Sequence, residues 1–149
     1  MPSALTRVFA LLGDPVAHSL SPILQNAAIK RARVDATYVA LRCGPHHLPG
    51  LLQGLARAGG GGNVTIPHKG TAAATVDAPS RRVRATGACN TFWLRRGRVH
   101  GENTDVPAFG EALKQVIADV RGSRVLIVGA GGAEGAVVSP PAVASTSDV

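Results

Sequence analysis

Apolar and polar positions along the chain follow two periods, which predict strands and helices in alternation. Short apolar runs that end at glycine or proline are typical of buried strands, whereas apolar residues three or four positions apart are typical of helices. The runs predict strands at 7–13, 36–43, 63–66, 89–95 and 98–101. The longer period predicts helices at 22–33, 47–58, 69–76, 79–86 and 106–117. This order predicts an α/β fold, with a mainly parallel sheet and helices on both of its faces.

Turn and capping residues set the expected boundaries of these elements. Arg96-Gly97 separates two alternating segments and predicts a hairpin. Ser21-Pro22 predicts an N-cap followed by proline at the first helical position, and Asp105 is likewise a credible N-cap. The glycines at 59–62 break a helix, and we expect them to loosen the start of the strand at 63–66.

Composition places the chain among globular proteins with one core. It has 149 residues, of which 45% are hydrophobic. No apolar run approaches the ~20 residues that a membrane span requires, and no secretion leader is seen, so we expect a soluble cytoplasmic protein without a membrane partner. We interpret Cys43 and Cys89 as free thiols of a protein in a reducing compartment. The five histidines show no metal-ligand spacing, and no metal is expected.

The formal net charge of +7 raises the question of a nucleic-acid partner. Proteins that bind single strands combine such charge with aromatic stacking surfaces. Aromatic residues make up only 3% of this chain, and Phe92-Trp93 is their only adjacent pair. We therefore expect no nucleic-acid partner, and the charge favours anionic small ligands instead.

Polar segments follow several of the predicted strands. They are GDPVAHSLSP at 13–22, NVTIPHK at 63–69, and GACNT at 87–91 together with GENTD at 101–105. Ligands of open α/β sheets bind beyond the carboxyl ends of the strands, so these segments should converge on one edge. Their hydroxyls, amides, lysine and aspartate suit a small polyhydroxylated or carboxylate ligand.

A glycine turn in RVLIVGAGGA, at 124–133, is typical of the first strand of a Rossmann-like domain. The turn alone is weak support, because short glycine motifs are common. Glu134 stands where the fingerprint requires a small residue. Pro140-Pro141 would end any following helix after at most two turns, so the sequence predicts that this second domain is truncated.

The SLSP, NVTIPHK and NTD motifs in this order, with GAGGA about 25 residues later, resemble the shikimate dehydrogenase family. The resemblance covers 7–133 and implies NADP-dependent reversible reduction of 3-dehydroshikimate to shikimate. It also implies a substrate-binding domain at 1–105 and a linking helix with a truncated start of the dinucleotide-binding domain at 106–138. The remaining residues, 139–149, contain two prolines and four Ser or Thr residues, a composition that predicts a disordered tail. One departure is Gln25, where the family usually has histidine.

The resemblance also implies roles for individual residues. Lys69 and Asp105 would form the catalytic pair. The residues implied to bind the substrate are Ser19, Ser21, Thr65, Lys69, Asn90 and Asp105. Those implied to approach the pyrophosphate of NADP are Gly129, Ala130, Gly131, Gly132 and Ala133. The chemistry agrees, because hydride addition to a ketone leaves alkoxide charge that a lysine beside a carboxylate can neutralise.

Simpler interpretations stay open at this point. Ser21 and Asp105 would serve as caps in any protein, and Asn90 would satisfy backbone groups in a tight turn. The chain could also be a catalytically inactive fragment that only binds shikimate-like ligands, or a quinate-accepting relative. A third hypothesis is a product of truncation or of a shifted reading frame after about residue 133. The small molecule is the expected partner, and a homo-oligomer stays open.

Overall fold

The computed structural model describes residues 3–116. The strands in this part are β1 (Arg7–Gly13), β2 (Ala36–Arg42), β3 (Gly61–Val64), β4 (Ala78–Pro79), β5 (Thr91–Arg95) and β6 (Arg98–Glu102). The helices are α1 (Ser21–Arg31), α2 (Leu48–Arg57), α3 (Lys69–Thr75), α4 (Arg81–Thr86) and α5 (Asp105–Val116). The predicted α/β class is therefore confirmed.

The strands form a single mixed sheet in the order β2-β1-β3-β5-β6-β4. Parallel pairs join β1 to β2, β1 to β3 and β4 to β6, whereas β3–β5 and β5–β6 are antiparallel. The predicted hairpin is thus present, with Arg96 and Gly97 at positive φ in its turn. Of the two residues of β4, the sequence predicts Pro79 as the start of a helix and assigns Ala78 to no element. β4 is too short to show a period, and its Pro79 reads as a helix start.

Both faces of the sheet are covered by helices, as β1 shows. Its Ala10 and Leu12 join the larger core cluster with Leu48 and Leu52 of α2. The intervening Leu11 belongs to a second cluster, against which Ile29 of α1 packs. Successive side chains of a strand point to opposite faces, so the alternation along β1 supplies both cores.

The glycine run at the start of β3 corrects one expectation. β3 begins at Gly61 rather than at residue 63. A Cβ atom on Gly60 would lie 1.9 Å from the carbonyl oxygen of Val8, and one on Gly62 would lie 1.9 Å from that of Ala10. The glycines therefore let β3 approach β1 closely, and they belong to the strand or its edge rather than loosening it.

The predicted caps also differ from the structure. Leu20, not Ser21, occupies the N-cap position of α1, and its carbonyl accepts from the N–H of Leu24 at 3.1 Å. The carbonyl of Thr104 similarly accepts from the N–H of Ala108 at 3.3 Å, so Asp105 is the first residue of α5 and not its cap. Ser21 and Asp105 each lie one position after the N-cap, and a polar residue there gives the same local sequence pattern as a capping residue, which explains both errors.

Several predictions fall outside residues 3–116. These are the strand of the glycine fingerprint, the residues Gly129, Ala130, Gly131, Gly132 and Ala133, and the tail at 139–149. Within the described residues, no helix combines the length and apolarity needed to cross a membrane. Phe92 is buried in the core, so the Phe92-Trp93 pair offers no joint aromatic surface.

Candidate active site

The polar segments predicted to converge do meet at one edge of the sheet. β1 and β3 are parallel neighbours, so their carboxyl ends lie together, and antiparallel β5 begins at the same edge. The N–H of Asp14, after β1, donates to the carbonyl of Ile66, after β3, at 3.0 Å. The N–H of Cys89, before β5, donates to the carbonyl of Lys69 at 2.9 Å. Backbone hydrogen bonds thus hold the segments to one another.

Lys69 and Asp105 form an ion pair at this edge. The Nζ of Lys69 lies 2.6 Å from Oδ2 of Asp105, and their side chains are 17% and 35% exposed. Lys69 is the first residue of α3, where a cation is unfavourable against the helix dipole. The carboxylate of Asp105 offsets that cost. The ammonium group has three N–H donors, so donors remain for a ligand oxygen.

Asn90 holds the carboxylate of Asp105 from its other side. Its Nδ2 donates to Oδ1 of Asp105 at 2.8 Å, and its Oδ1 accepts from the N–H of Thr104 at 3.0 Å. Asn90 therefore also satisfies a turn, so the simple interpretation of this residue and the functional one are compatible. No N–H of α5 within the described residues donates to the Asp105 side chain, whose oxygens go to Lys69 and Asn90.

Two buried residues that support the pair were not singled out from the sequence. Asn103 is fully buried, its Oδ1 accepting from the N–H of Asp105 at 3.1 Å and its Nδ2 donating to Thr86 at 3.0 Å. His68 is 1% exposed, and its Nε2 lies 2.7 Å from the carbonyl oxygen of Cys43. A carbonyl only accepts, so Nε2 carries the proton. Asn103 precedes a helix by two positions, a local signal that could have identified it.

The remaining predicted substrate residues lie in two places. Ser19 and Ser21 join each other, since Oγ of Ser19 donates to Oγ of Ser21 at 3.1 Å and accepts from its N–H at 3.2 Å. Thr65 is tied to the turn before Lys69, because its carbonyl accepts from the N–H of His68 at 2.9 Å. Within residues 3–116 no hydrogen bond joins the serine pair to Lys69 or Asp105.

The two cysteines do not take part in the site chemistry. Both are buried, and burial is the main cause that raises the pKa of each thiol. A protonated thiol is a poor nucleophile, so we assign Cys43 and Cys89 to packing. Across residues 3–116, no three side chains among His, Cys, Asp and Glu gather as a metal ion would need.

The chain is similar to one family over most of its length. Residues 11–92 match the shikimate dehydrogenase substrate binding domain. The shikimate dehydrogenase (NADP(+)) of Anaeromyxobacter dehalogenans is 46% identical over 129 residues, which is 86% of this chain and 46% of the relative. The shikimate dehydrogenase structure from Aquifex aeolicus has a TM-score of 0.85 at 37% identity and covers 93% of this chain and 52% of its own.

A third relative was solved with ligands. It is the enzyme of Thermus thermophilus in complex with NADP(H) and shikimate, with a TM-score of 0.77 and 41% identity over 88% of this chain and 50% of its own. This chain thus spans about half the length of the curated relatives it matches. The matched family region contains five of the six predicted substrate residues, namely Ser19, Ser21, Thr65, Lys69 and Asn90.

Proposed function

The chain belongs to the shikimate dehydrogenase family, and on that premise we propose that residues 1–105 are a domain that binds shikimate and 3-dehydroshikimate. The hydrogen-bonded group of Lys69, Asn90 and Asp105 at the sheet edge is the observation that carries the proposal. The parts at 106–138 and 139–149 would be the linking helix with the start of a cofactor domain, and a tail.

The proposed reaction is the NADP-dependent reversible reduction of 3-dehydroshikimate. When bound, the nicotinamide supplies the hydride. The ketone oxygen gains negative charge as its carbon accepts that hydride, and the ammonium of Lys69 stabilises the charge and donates a proton. Asp105 holds the ammonium in place through its 2.6 Å contact. In the reverse direction, the neutral amine of Lys69 accepts the hydroxyl proton of shikimate.

Substrate positioning is proposed for the other polar residues of this edge. Ser19 and Ser21 lie at the start of α1 and would donate hydroxyl hydrogen bonds to the substrate carboxylate. Thr65 and Asn90 would contact the carboxylate or the ring hydroxyls. The net charge of +7 favours approach of an anion. The Thermus thermophilus relative, solved with shikimate and NADP(H), supports this ligand class.

A second candidate function is binding of shikimate-like ligands without catalysis. Glu134 favours it, because a bulky charged residue stands where the dinucleotide fingerprint needs a small one. The residues that would contact NADP, at 129–133, lie outside the described part of the chain. A preference for quinate is a variant of either candidate, since quinate carries the same carboxylate and neighbouring hydroxyls.

Calorimetry with the 149-residue chain tests the proposal. We expect a saturable heat change when shikimate is titrated into the protein. Ser19→Ala should weaken shikimate binding by about tenfold, because it removes a hydrogen bond to the substrate carboxylate. Ser3→Ala, at an exposed serine before β1, is the matched control and should change nothing. Absence of any shikimate binding by the wild type contradicts the proposed function.

Adding cofactor separates the two candidates. If NADP strengthens shikimate binding, and NADPH is oxidised when 3-dehydroshikimate is present, the chain is an enzyme in its own right. If shikimate binds while NADP has no effect on the heat and NADPH is not consumed, the binding-only candidate is the correct one for this chain. Quinate in place of shikimate, in the same titration, then measures substrate preference.

A further inference from the structure

Tyr38 makes a hydrogen bond to a residue 25 positions away in the sequence, and that bond connects to the candidate site. Tyr38 lies on β2, is buried, and its hydroxyl donates to Oδ1 of Asn63 on β3 at 2.7 Å. Because β1 lies between β2 and β3, the tyrosine side chain reaches across a whole strand. Asn26 of α1 fixes its backbone with two bonds, at 2.8 and 2.9 Å. Tyr38 is therefore anchored at both ends.

The hydrogen bond of Tyr38 is the first of a continuous chain. Nδ2 of Asn63 donates to Oγ1 of Thr91 at 3.1 Å, and that hydroxyl donates to Oδ1 of Asn90 at 2.9 Å. Nδ2 of Asn90 then donates to Oδ1 of Asp105 at 2.8 Å. Four hydrogen bonds thus connect Tyr38 to Asp105, whose other oxygen bonds Lys69.

Neighbouring backbone groups fix the direction of every bond in this chain. The carbonyl of Asn90 can only accept, so the group of Asn63 that faces it at 3.3 Å is Nδ2, and Oδ1 faces Tyr38. The N–H of Thr104 can only donate, so the group of Asn90 that faces it is Oδ1. The Thr91 hydroxyl, between a donor and an acceptor, must then donate to Asn90.

The same logic requires Tyr38 to be the donor. Oδ1 of Asn63 only accepts, so the phenol must keep its proton. Burial raises the pKa of Tyr38 to about 12, and the phenol is protonated at any physiological pH. Hydrogen bonds aligned head to tail polarise one another in a low-dielectric interior, so loss of the first donor weakens those that follow.

We propose that Tyr38 is a positioning residue for the Lys69–Asp105 pair and acts on it through Asn63, Thr91 and Asn90. This inference rests on the proposed function, because the pair matters only if it meets a substrate. Without the phenolic donor, Oδ1 of Asn63 loses a partner, and the position of the amide then depends on its Nδ2 contacts with Thr91 and the carbonyl of Asn90. The hydrogen bond from Asn63 to Thr91 is then weaker, and the amide of Asn90 is held less firmly against Asp105.

Tyr38→Phe in the 149-residue chain tests this proposal, because it removes one oxygen and keeps the ring. Thr91→Val breaks the chain at a different link and guards against a folding defect in either variant. Thr75→Val is the matched control, since among the described residues the Thr75 hydroxyl donates only within α3, to the carbonyl of Thr71 at 2.7 Å. Two quantities are measured: the NMR shift of the Asn90 side-chain amide, and shikimate affinity.

We expect Tyr38→Phe and Thr91→Val to move the Asn90 amide signal and to weaken shikimate binding by about three- to tenfold each. The double variant should bind shikimate no more than about twofold more weakly than the weaker-binding single variant, because both substitutions interrupt the same series of hydrogen bonds. Thr75→Val should leave signal and affinity unchanged. An unmoved Asn90 signal in Tyr38→Phe overturns the proposal, as does a moved signal with unchanged affinity.

The proposed function fails in a different way. If the wild type binds no shikimate, that function is contradicted whatever the variants do. The NMR signal then tests the series of hydrogen bonds by itself. Tyr38 makes no direct hydrogen bond to Asn90, so a shift of the Asn90 signal in Tyr38→Phe supports transmission through Asn63 and Thr91. An unchanged Asn90 signal refutes that transmission.

Discussion

The Nζ of Lys69 and the Oδ2 of Asp105 lie 2.6 Å apart although 36 positions separate the two residues along the chain. α3 and α5 begin at these residues, and the sheet brings both helix starts to one edge. The short contact places a cation and a carboxylate where a ligand oxygen can reach the remaining ammonium donors.

Replacing Lys69 by alanine should affect catalysis more than binding. In a longer form of the protein that carries a complete cofactor-binding domain, we expect Lys69→Ala to lower kcat by about 10²–10⁴-fold, the range for loss of a general acid or base, with a small change in shikimate affinity. Lys30→Ala, at an exposed lysine of α1, is the control. A large loss of affinity with kcat retained would make Lys69 a binding residue.

Gly62→Ala should destabilise the domain strongly. The added Cβ would lie 1.9 Å from the carbonyl oxygen of Ala10, a backbone atom that cannot move without disturbing β1. We expect a loss of about 3 kcal/mol or more in the free energy of unfolding, measured by urea denaturation.

Gly54→Ala is the matched control for that substitution. Gly54 lies in α2, and an added Cβ would meet no atom of residues 3–116 within 4 Å. Alanine is favoured over glycine inside a helix, so we expect Gly54→Ala to stabilise by about 0.5–1 kcal/mol. Equal effects of the two substitutions would refute the steric explanation of the glycine run.

Asp77 should make the free energy of unfolding depend on pH in acidic solution. The backbone N–H of Val99, at 2.8 Å, is the main cause that holds the pKa of Asp77 below its ordinary value of 3.8, and Gln53 and Arg57 add to it. A carboxyl with a lowered pKa stabilises the fold above its unfolded pKa, and that contribution is lost as the pH falls through the folded value.

Asp77→Asn should therefore flatten the acid limb of the stability curve, measured as urea midpoints between about pH 2 and about pH 6. Glu111→Gln removes an exposed carboxylate whose one ion pair within residues 3–116 is with Lys114, and it should leave the acid limb as in the wild type. If the two variants give the same curve, the hydrogen bond to Val99 does not have the effect inferred for it.

Tyr38 should ionise late in an alkaline titration. It is the only tyrosine of the chain, so the ultraviolet absorbance of tyrosinate reports it alone. We expect a midpoint near pH 12 in the folded chain, against 10.0 for a free tyrosine. A raised pKa means that the contribution to stability is fully present below about pH 10 and is lost as the pH rises through about 12. A midpoint near 10 in the folded chain would contradict the burial of this phenol.

Most of the elements are predictable from the sequence: the predicted β1 agrees with the structure residue for residue, and the predicted α2 agrees within one residue at each end. The pattern does not predict β4, whose two residues carry no period, and it places the start of β3 at residue 63 although Gly61 and Gly62 belong to that strand. Both errors concern residues whose conformation depends on a neighbouring strand, Gly62 on Ala10 and Ala78 on His100. Local propensity does not contain that information.

The chain's own sequence determined its α/β class, its family motifs and the residue types at the candidate site, because these depend on periods and short spacings. Only the tertiary structure decided which side chains meet: that Asn90 clamps Asp105, that Asn103 and His68 are buried supports, and that Tyr38 reaches Asn63 across β1. The physical reason is that these hydrogen bonds depend on the order of strands in the sheet, which sets distances between residues far apart in the chain.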